Sequence, residues 1–411
     1  MGVLFCISGI GSGHVSRCRP FIEALSAQGH QCSAAVTGYR AGSLLEHICP
    51  VSIPPPEYRD RVAPPSGSLP PYMVIPNLDA VFSAYQRDAA DGLDATLDFF
   101  EEVIERERPD LVVVDQVMGP AALARARGIP VVQVTHPPFL PGYGSWMKWT
   151  DGIDSRIVVP PIGEILEEAF GARGMETPTV DDLFDGDLIL IPGHPDLGTC
   201  EKALHVRPDR LPDPAHVGIN QSGPPIALSY LSFLARLLGE GVVRGIRDAG
   251  CRAILIDGTN YGLPGGLADD PGVDRLGRVP IDDLWERASV IVHGGGSGIA
   301  QEALAAGVPQ IAIPRNTEQE TTARKIEEFG AGRFVPVSTG QLEIVELSGG
   351  VRTLGLPSVE NLAERVTTAA GELLADDEAI PAALEKGKEL RSLPTAGEVV
   401  AVIEAVMAAR K

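Results

Sequence analysis

Residues 290–304 run Val290-Ile291-Val292-His293-Gly294-Gly295-Gly296-Ser297-Gly298-Ile299-Ala300-Gln301-Glu302-Ala303-Leu304. A β-branched run stops at a histidine, four glycines follow within five residues, and a helix-forming stretch begins at once. Few folds accommodate such a segment. A strand apolar at successive positions is buried on both faces, as in parallel sheets covered by helices. Glycines let the backbone approach an anion with N–H groups pointing at it, and the helix N-terminus adds about half a positive charge. In physical terms this is a phosphate or pyrophosphate site, to which His293 can donate a further hydrogen bond. A tight turn without a ligand is the plainer reading, and the density of glycine beside a histidine argues against it. The segment is not the G-x-G-x-x-G of dinucleotide folds, because it lies late in the chain and no acidic residue ends a following strand.

The same grammar extends over the chain. Apolar runs bounded by turn residues alternate with helical periodicity, which means α/β layers with parallel strands. The first half opens with a strand at 3–7, a glycine-rich turn at 9–13, a helix from about 15 to 28 and a second strand at 31–37. Residues 50–76 are too rich in proline for regular structure. A helix over 79–107 then leads to a strand ending at Asp115, and a further strand at 130–135 leads into His136. Residues 139–185 read as a lid or helical insertion. The polar, proline-rich stretch 207–225 is the best linker, and a second series of strands is expected near 226–229, 253–257, 273–276, 289–292, 309–313 and 333–335. At 411 residues the chain exceeds the ~250–300 at which one core stops growing. The expected domains are 1–210, 222–385, and a C-terminal helix within 386–411 that packs back on the first domain.

Composition excludes several classes. Acidic residues outnumber basic ones 55 to 34, giving a formal charge of −21, so there is no electrostatic footprint for nucleic acid or anionic lipid. No apolar stretch is long enough to span a membrane, and a strand follows Met1 directly, which leads us to expect a cytoplasmic protein. The six cysteines, at 6, 18, 32, 49, 200 and 251, form no CxxC or CxxH, so no metal site is expected. Cys18 lies nearest a candidate site and reads as a core residue.

Three further places carry chemistry. Glu318 and Gln319 follow the strand 309–313 and fall beside the glycine turn, where a carboxylate and an amide can hold vicinal hydroxyls of a sugar. A solvated helix start explains them equally well. In the first half, Gly11-Ser12-Gly13-His14 places an imidazole just after strand one, at the cleft face of the sheet, where it suits a general base. Arg17 reads as an exposed helix arginine rather than a phosphate ligand. Phe139, Tyr143, Trp146 and Trp149 form an acceptor platform or pack the insertion, with nothing to choose between the two.

The run from His293 to Gly332 resembles the donor-binding signature of the UDP-glycosyltransferase-like superfamily. Glu302-Ala303-Leu304, Gly307-Val308-Pro309, Pro314, Glu318-Gln319, Ala323 and Gly330-Ala331-Gly332 occur in that order. The spacing from His293 to Glu302 resembles the bacterial antibiotic and macrolide branch. The opening Gly11–Arg17 segment also resembles bacterial sugar-modifying relatives that include a nucleotide-sugar hydrolase. The resemblance implies a GT-B fold, two Rossmann-like domains facing each other across a cleft. It implies that His293, Gly295, Gly296, Ser297, Gly298 and Ser232 hold the donor diphosphate. Arg278 and Val279 would bracket the nucleobase, Glu302 would hold the ribose, and Glu318 and Gln319 the transferred sugar. His14 would be the catalytic base, oriented by Asp115, although Asp115 can equally cap the next helix. His136, Phe139, Tyr143 and Trp146 would line the acceptor pocket. Leu231 stands for the usual glycine, Ile299 for a Ser or Thr, and Glu318 for the commoner Asp.

The expected activity is inverting transfer of a sugar from a UDP- or dTDP-sugar to a small-molecule acceptor, by direct displacement and without metal or other cofactor. The expected partners are that donor and a natural-product acceptor, with no nucleic acid and no integral membrane association; a homodimer is left open. A hydrolase in which His14 activates water, and a non-catalytic nucleotide-sugar-binding partner protein, are the alternatives.

Overall fold

The computed structural model describes residues 1–9, 12–58, 89–141, 162–215, 223–231, 235–258, 261–277, 279–314, 317–337, 342–343, 353–354 and 357–409. Seven strands form the first sheet: β1 Gly2–Ile7, β2 Gln31–Val36, β3 Val51–Ser52, β4 Leu111–Asp115, β5 Val131–Val134, β6 Leu188–Pro192 and β7 Ala203–Val206. Their order is β3-β2-β1-β4-β5-β6-β7, and every pairing is parallel. The second sheet holds β8 Ile226–Tyr230, β9 Arg252–Leu255, β10 Val273–Arg275, β11 Val290–His293, β12 Gln310–Ala312 and β13 Gly332–Phe334. Its order is β10-β9-β8-β11-β12-β13, again parallel throughout.

Strand order positions the site. Each sheet reverses direction at one place, between β1 and β4 in the first and between β8 and β11 in the second. Ligands in open parallel sheets sit outside the carboxyl ends of strands at such a reversal. Ile7 pairs beside Asp115 at the first reversal, and His293 beside Tyr230 at the second.

Packing follows the sequence periodicity. In the helix Ala89–Glu107, Leu93, Leu97, Phe100 and Ile104 recur on one face and are all buried against β4 and the helix Pro120–Ala126. Truncating such a residue, Leu97→Ala for instance, costs ~2–5 kcal/mol. The described part of the expected insertion is not a lid. Its helices Gly163–Gly171 and Val180–Phe184 bury Leu166, Phe170, Leu183 and Phe184 in that same core. Neither β6 nor β7 is assigned from sequence. β7 is a half-buried edge strand with a histidine in its middle, so it offers no sustained apolar run. The long helix expected over 79–107 is described only from Ala89.

The chain ends by crossing between the two layers. The helix Ala379–Ser392 packs Ala383 and Leu390 on Ala300 and Leu304 of the second domain. The helix Val400–Ala408 then buries Val400, Ile403 and Met407 in the first core, beside Phe5 and Phe21. There Glu404 meets His30 at 2.8 Å. Among the described residues, no helix is long and apolar enough to cross a membrane.

Candidate active site at the cleft

Strand β1 ends in the close approach of Gly9 to Gly38: a Cβ on Gly9 would lie 2.1 Å from the Gly38 amide, so no side chain fits. The helix Ser12–Ala27 begins just beyond, with His14 in its first turn. His14 Nδ1 lies 2.6 Å from Asp115 Oδ1, and Asp115 is fully buried while His14 keeps 15% of its surface. An ionised carboxylate only accepts, so the proton of this contact is on Nδ1, and in the neutral ring Nε2 then carries the lone pair. That is the tautomer a general base needs.

Arg17 is not the exposed helix arginine expected from sequence. One helical turn beyond His14, it lays its guanidinium on the same carboxylate, Nε to Oδ2 at 3.0 Å and Nη2 to Oδ1 at 2.9 Å. The expectation fails because nothing local shows that the end of β4 arrives at this point. Burial works to raise the Asp115 carboxyl, but the charge of Arg17, then that of His14, outweighs it and brings Asp115 down to about 2. Cys18 is buried behind the carboxylate, its Sγ 3.7 Å from Oδ2, and burial pushes its thiol up.

The residue after Asp115 breaks the backbone pattern. Gln116 has φ 51°, a left-handed conformation that side chains seldom adopt and that clusters at functional sites. Its amide donates to His136 Nδ1. His136 Nε2 lies 2.8 Å from Oε1 of Glu318, a residue of the other domain. Burial lowers the His136 pKa, Glu318 opposes that shift, and Arg17 adds to it. With Nδ1 accepting from Gln116, the proton sits on Nε2 and points at Glu318. The polar edge of His136 is thus directed at Glu318. Phe139 is buried edge-on against His136 and packs on Phe184, which decides its reading in favour of packing. Tyr143, Trp146 and Trp149 lie outside the described residues.

The glycine turn of the second domain is built as the sequence suggests, except for its histidine. Gly295 takes φ 77°, and a Cβ there would meet the Gln319 carbonyl at 2.7 Å, so the turn lies against the first turn of the helix Thr317–Glu328. The helix Ser297–Ala306 starts directly after it, and its first amides have no partner within the helix. His293 is fully buried. Its Nδ1 accepts from the Gly295 amide at 3.0 Å, so the proton is on Nε2, which donates to Gln310 Oε1 at 2.9 Å. Gln310 in turn donates to the Ala300 carbonyl at 3.1 Å. Burial brings His293 down to about 4. Both ring nitrogens are spent inside the turn, so the expected hydrogen bond from His293 to a phosphate is corrected: this side chain braces the turn.

Glu302 lies half-buried five residues into that helix. Burial, then the charge of Asp282, brings it up to about 7, with Arg210 opposing. Val279 is exposed. Ser232 and Arg278 lie outside the described residues. Leu231 is buried, and its amide is held by the Tyr261 hydroxyl at 3.2 Å.

Residues 264–348 match the family described as erythromycin biosynthesis protein CIII-like, C-terminal domain. The glycosyltransferase GtfC of Amycolatopsis orientalis is 29% identical over 248 residues, which span 58% of this chain and 56% of that protein. The L-demethylnoviosyl transferase of Streptomyces niveus is 26% identical over 87% of this chain and 93% of its own. The solved glycosyltransferase SsfS6 of Streptomyces sp. SF2575, complexed with thymidine diphosphate, superposes with a TM-score of 0.64 at 19% identity, covering 98% of this chain and 99% of the other. The chain has the GT-B fold, and residues 264–348 are similar to the EryCIII-like C-terminal domain. The GT-B architecture explains why the two strand reversals open onto one cleft, where His136 of the first domain meets Glu318 of the second.

Sequence reasoning missed Arg17 and Gln116 as members of this site. Arg17 stood one turn from His14, the only local signal available; Gln116 carried none, because its left-handed backbone is set by tertiary packing.

Proposed function

We propose that this chain is an inverting glycosyltransferase that moves a sugar from a dTDP- or UDP-sugar to a hydroxyl of a small natural-product acceptor. The observation that supports this reading is the contact of His136 with Glu318, which joins the strand ends of the first domain to the helix that lies against the glycine turn. His14 Nε2 takes the acceptor proton as the oxygen attacks the anomeric carbon. Asp115 holds the ring and stabilises the imidazolium that forms. The leaving diphosphate is met by the amides of Ser297 and Gly298 and by the helix N-terminus, so the reading includes no metal. Glu302 holds the ribose, and Glu318 with Gln319 holds the transferred sugar. The names of the relatives, and the thymidine diphosphate held by one solved neighbour, support the substrate class.

The test is product analysis. The full chain is incubated with dTDP-glucose or UDP-glucose, with and without a polyketide or aromatic aglycone. Acceptor-dependent release of nucleoside diphosphate, with an inverted glycoside by NMR, is the expected result. Release of free sugar without acceptor makes the chain a hydrolase. Absence of both turnover and nucleotide binding sinks the reading.

A further inference from the structure

Asp115 and Gln116 are consecutive, and each binds a histidine of the first domain: Asp115 binds His14, and Gln116 binds His136, which in turn meets Glu318 of the second domain. Asp115 faces back into the first domain and fixes His14. Gln116, turned by its left-handed φ, donates to His136, and His136 passes a directed N–H across the cleft to Glu318. Residues held in such a backbone cost of order 1–3 kcal/mol and persist only where the surroundings over-determine them. Gln133 precedes His136 by three residues but binds the Leu183 and Asp185 carbonyls, so it does not compete for the ring.

We propose that Gln116 and His136 are positioning residues for the donor sugar: through them the first domain orients Glu318, so the sugar and the general base take their alignment from adjacent residues of one strand end. This rests on the reading that Glu318 holds the transferred sugar. His136 fixes Oε1 and leaves Oε2 as the oxygen that accepts from a sugar hydroxyl. The nucleotide part of the donor is held elsewhere, by the glycine turn. Loss of His136 must therefore be felt by the sugar and not by the diphosphate.

The experiment compares binding of dTDP with dTDP-glucose, and UDP with UDP-glucose, by calorimetry on the full chain and on His136→Phe and Gln116→Asn. His136→Phe should weaken the sugar nucleotide about tenfold, the scale of one hydrogen bond to a charged group, and leave the free diphosphate within about twofold. Gln116→Asn keeps a residue that tolerates the left-handed backbone but draws the amide back, and should give a smaller loss of the same kind, about threefold. In turnover, the donor KM should rise while the acceptor KM stays constant. Equal effects on both ligands, or none on either, overturn the proposal while leaving the glycosyltransferase reading intact. A wild-type chain that binds no nucleoside diphosphate overturns both. Nitrogen NMR of the His136 ring supplies a readout that does not depend on the Phe variant folding. A fixed Nε2–H tautomer in the wild type, with an Nε2–H signal that shifts in Glu318→Ala, is expected, and an identical ring signal in both proteins refutes the cross-cleft link.

Discussion

The turns after β1 and after β11 are made of the same local parts and hold their histidines in opposite states. Each is a buried parallel strand, a glycine turn and a helix start at a reversal of strand order. At the first, the imidazole lies beyond the turn, partly exposed, with its Nδ1 proton on an ionised carboxylate. At the second, it lies before the turn, fully buried, with its Nε2 proton on a neutral amide. A carboxylate partner stabilises the cation that a base becomes, whereas an amide partner in an apolar setting keeps the ring neutral. The motif therefore does not decide the role. The partner on the neighbouring strand does: Asp115 of β4 in one case and Gln310 of β12 in the other.

The comparison breaks most visibly at His14. His14→Ala should lower turnover by ~10²–10⁴-fold, the usual contribution of a positioned base. Nucleoside diphosphate affinity should stay constant, because on the proposed reading the donor is held by the glycine turn of the other domain. Turnover within a few-fold of wild type in a folded protein would end the general-base assignment.

Asp115→Asn should act on stability as well as on rate. It leaves Arg17 over a buried position without its carboxylate, and breaking such a pair costs ~3–5 kcal/mol. Asp115 drops from an ordinary 3.8 to about 2, so its contribution is complete above the ordinary value and is lost as pH falls through 2. The gap in urea midpoint between wild type and variant should be full at pH 7 and shrink below pH 4. A constant gap down to pH 2 would mean that the carboxylate charge is not what stabilises.

At the second turn, His293→Ala should weaken nucleoside diphosphate binding by ~1.5–3 kcal/mol, the scale of a charge-assisted hydrogen bond lost when the amides are no longer braced. Gln310→Leu should weaken it in the same direction although Gln310 only supports the histidine. Calorimetry in which Gln310→Leu is silent and His293→Ala is not would restore a direct contact from His293 to phosphate. His293 is lowered to about 4, so the stability it confers as a neutral ring is present above its ordinary 6.5 and lost as pH falls through 4. Nucleotide affinity should accordingly not change between pH 7 and 9 on its account.

The smallest effect is expected at Glu302. Its pKa is raised from 4.5 to about 7, so its favourable contribution is present below 4.5 and lost as pH rises through 7. Glu302→Gln should raise the unfolding free energy above pH 7 by about 1 kcal/mol after solvent screening, and leave it unchanged below pH 4.5. The same variant should bind nucleotide more weakly if the carboxylate holds the ribose. Thermal unfolding curves that superpose at pH 8 would remove the buried-charge account of Glu302.

Sequence alone determined what depends on neighbours along the chain. Apolar runs at Val3–Ile7, Leu111–Val114 and Val290–Val292, broken by glycine turns, dictated parallel strands feeding helices, and so two α/β layers joined by a polar stretch. His14, Asp115 and Glu318 could each be named because a strand end or a helix start marks them locally. Tertiary structure decided whatever depends on which strand ends lie side by side. Only the pairing of β1 with β4 puts Arg17 on Asp115, only the pairing of β11 with β12 puts Gln310 on His293, and only the closure of two domains puts His136 on Glu318. Parallel strands join residues far apart in sequence, and tautomer, charge and backbone strain are set by those distant partners. A linear reading sees the histidines, and the fold determines which nitrogen of each carries the proton.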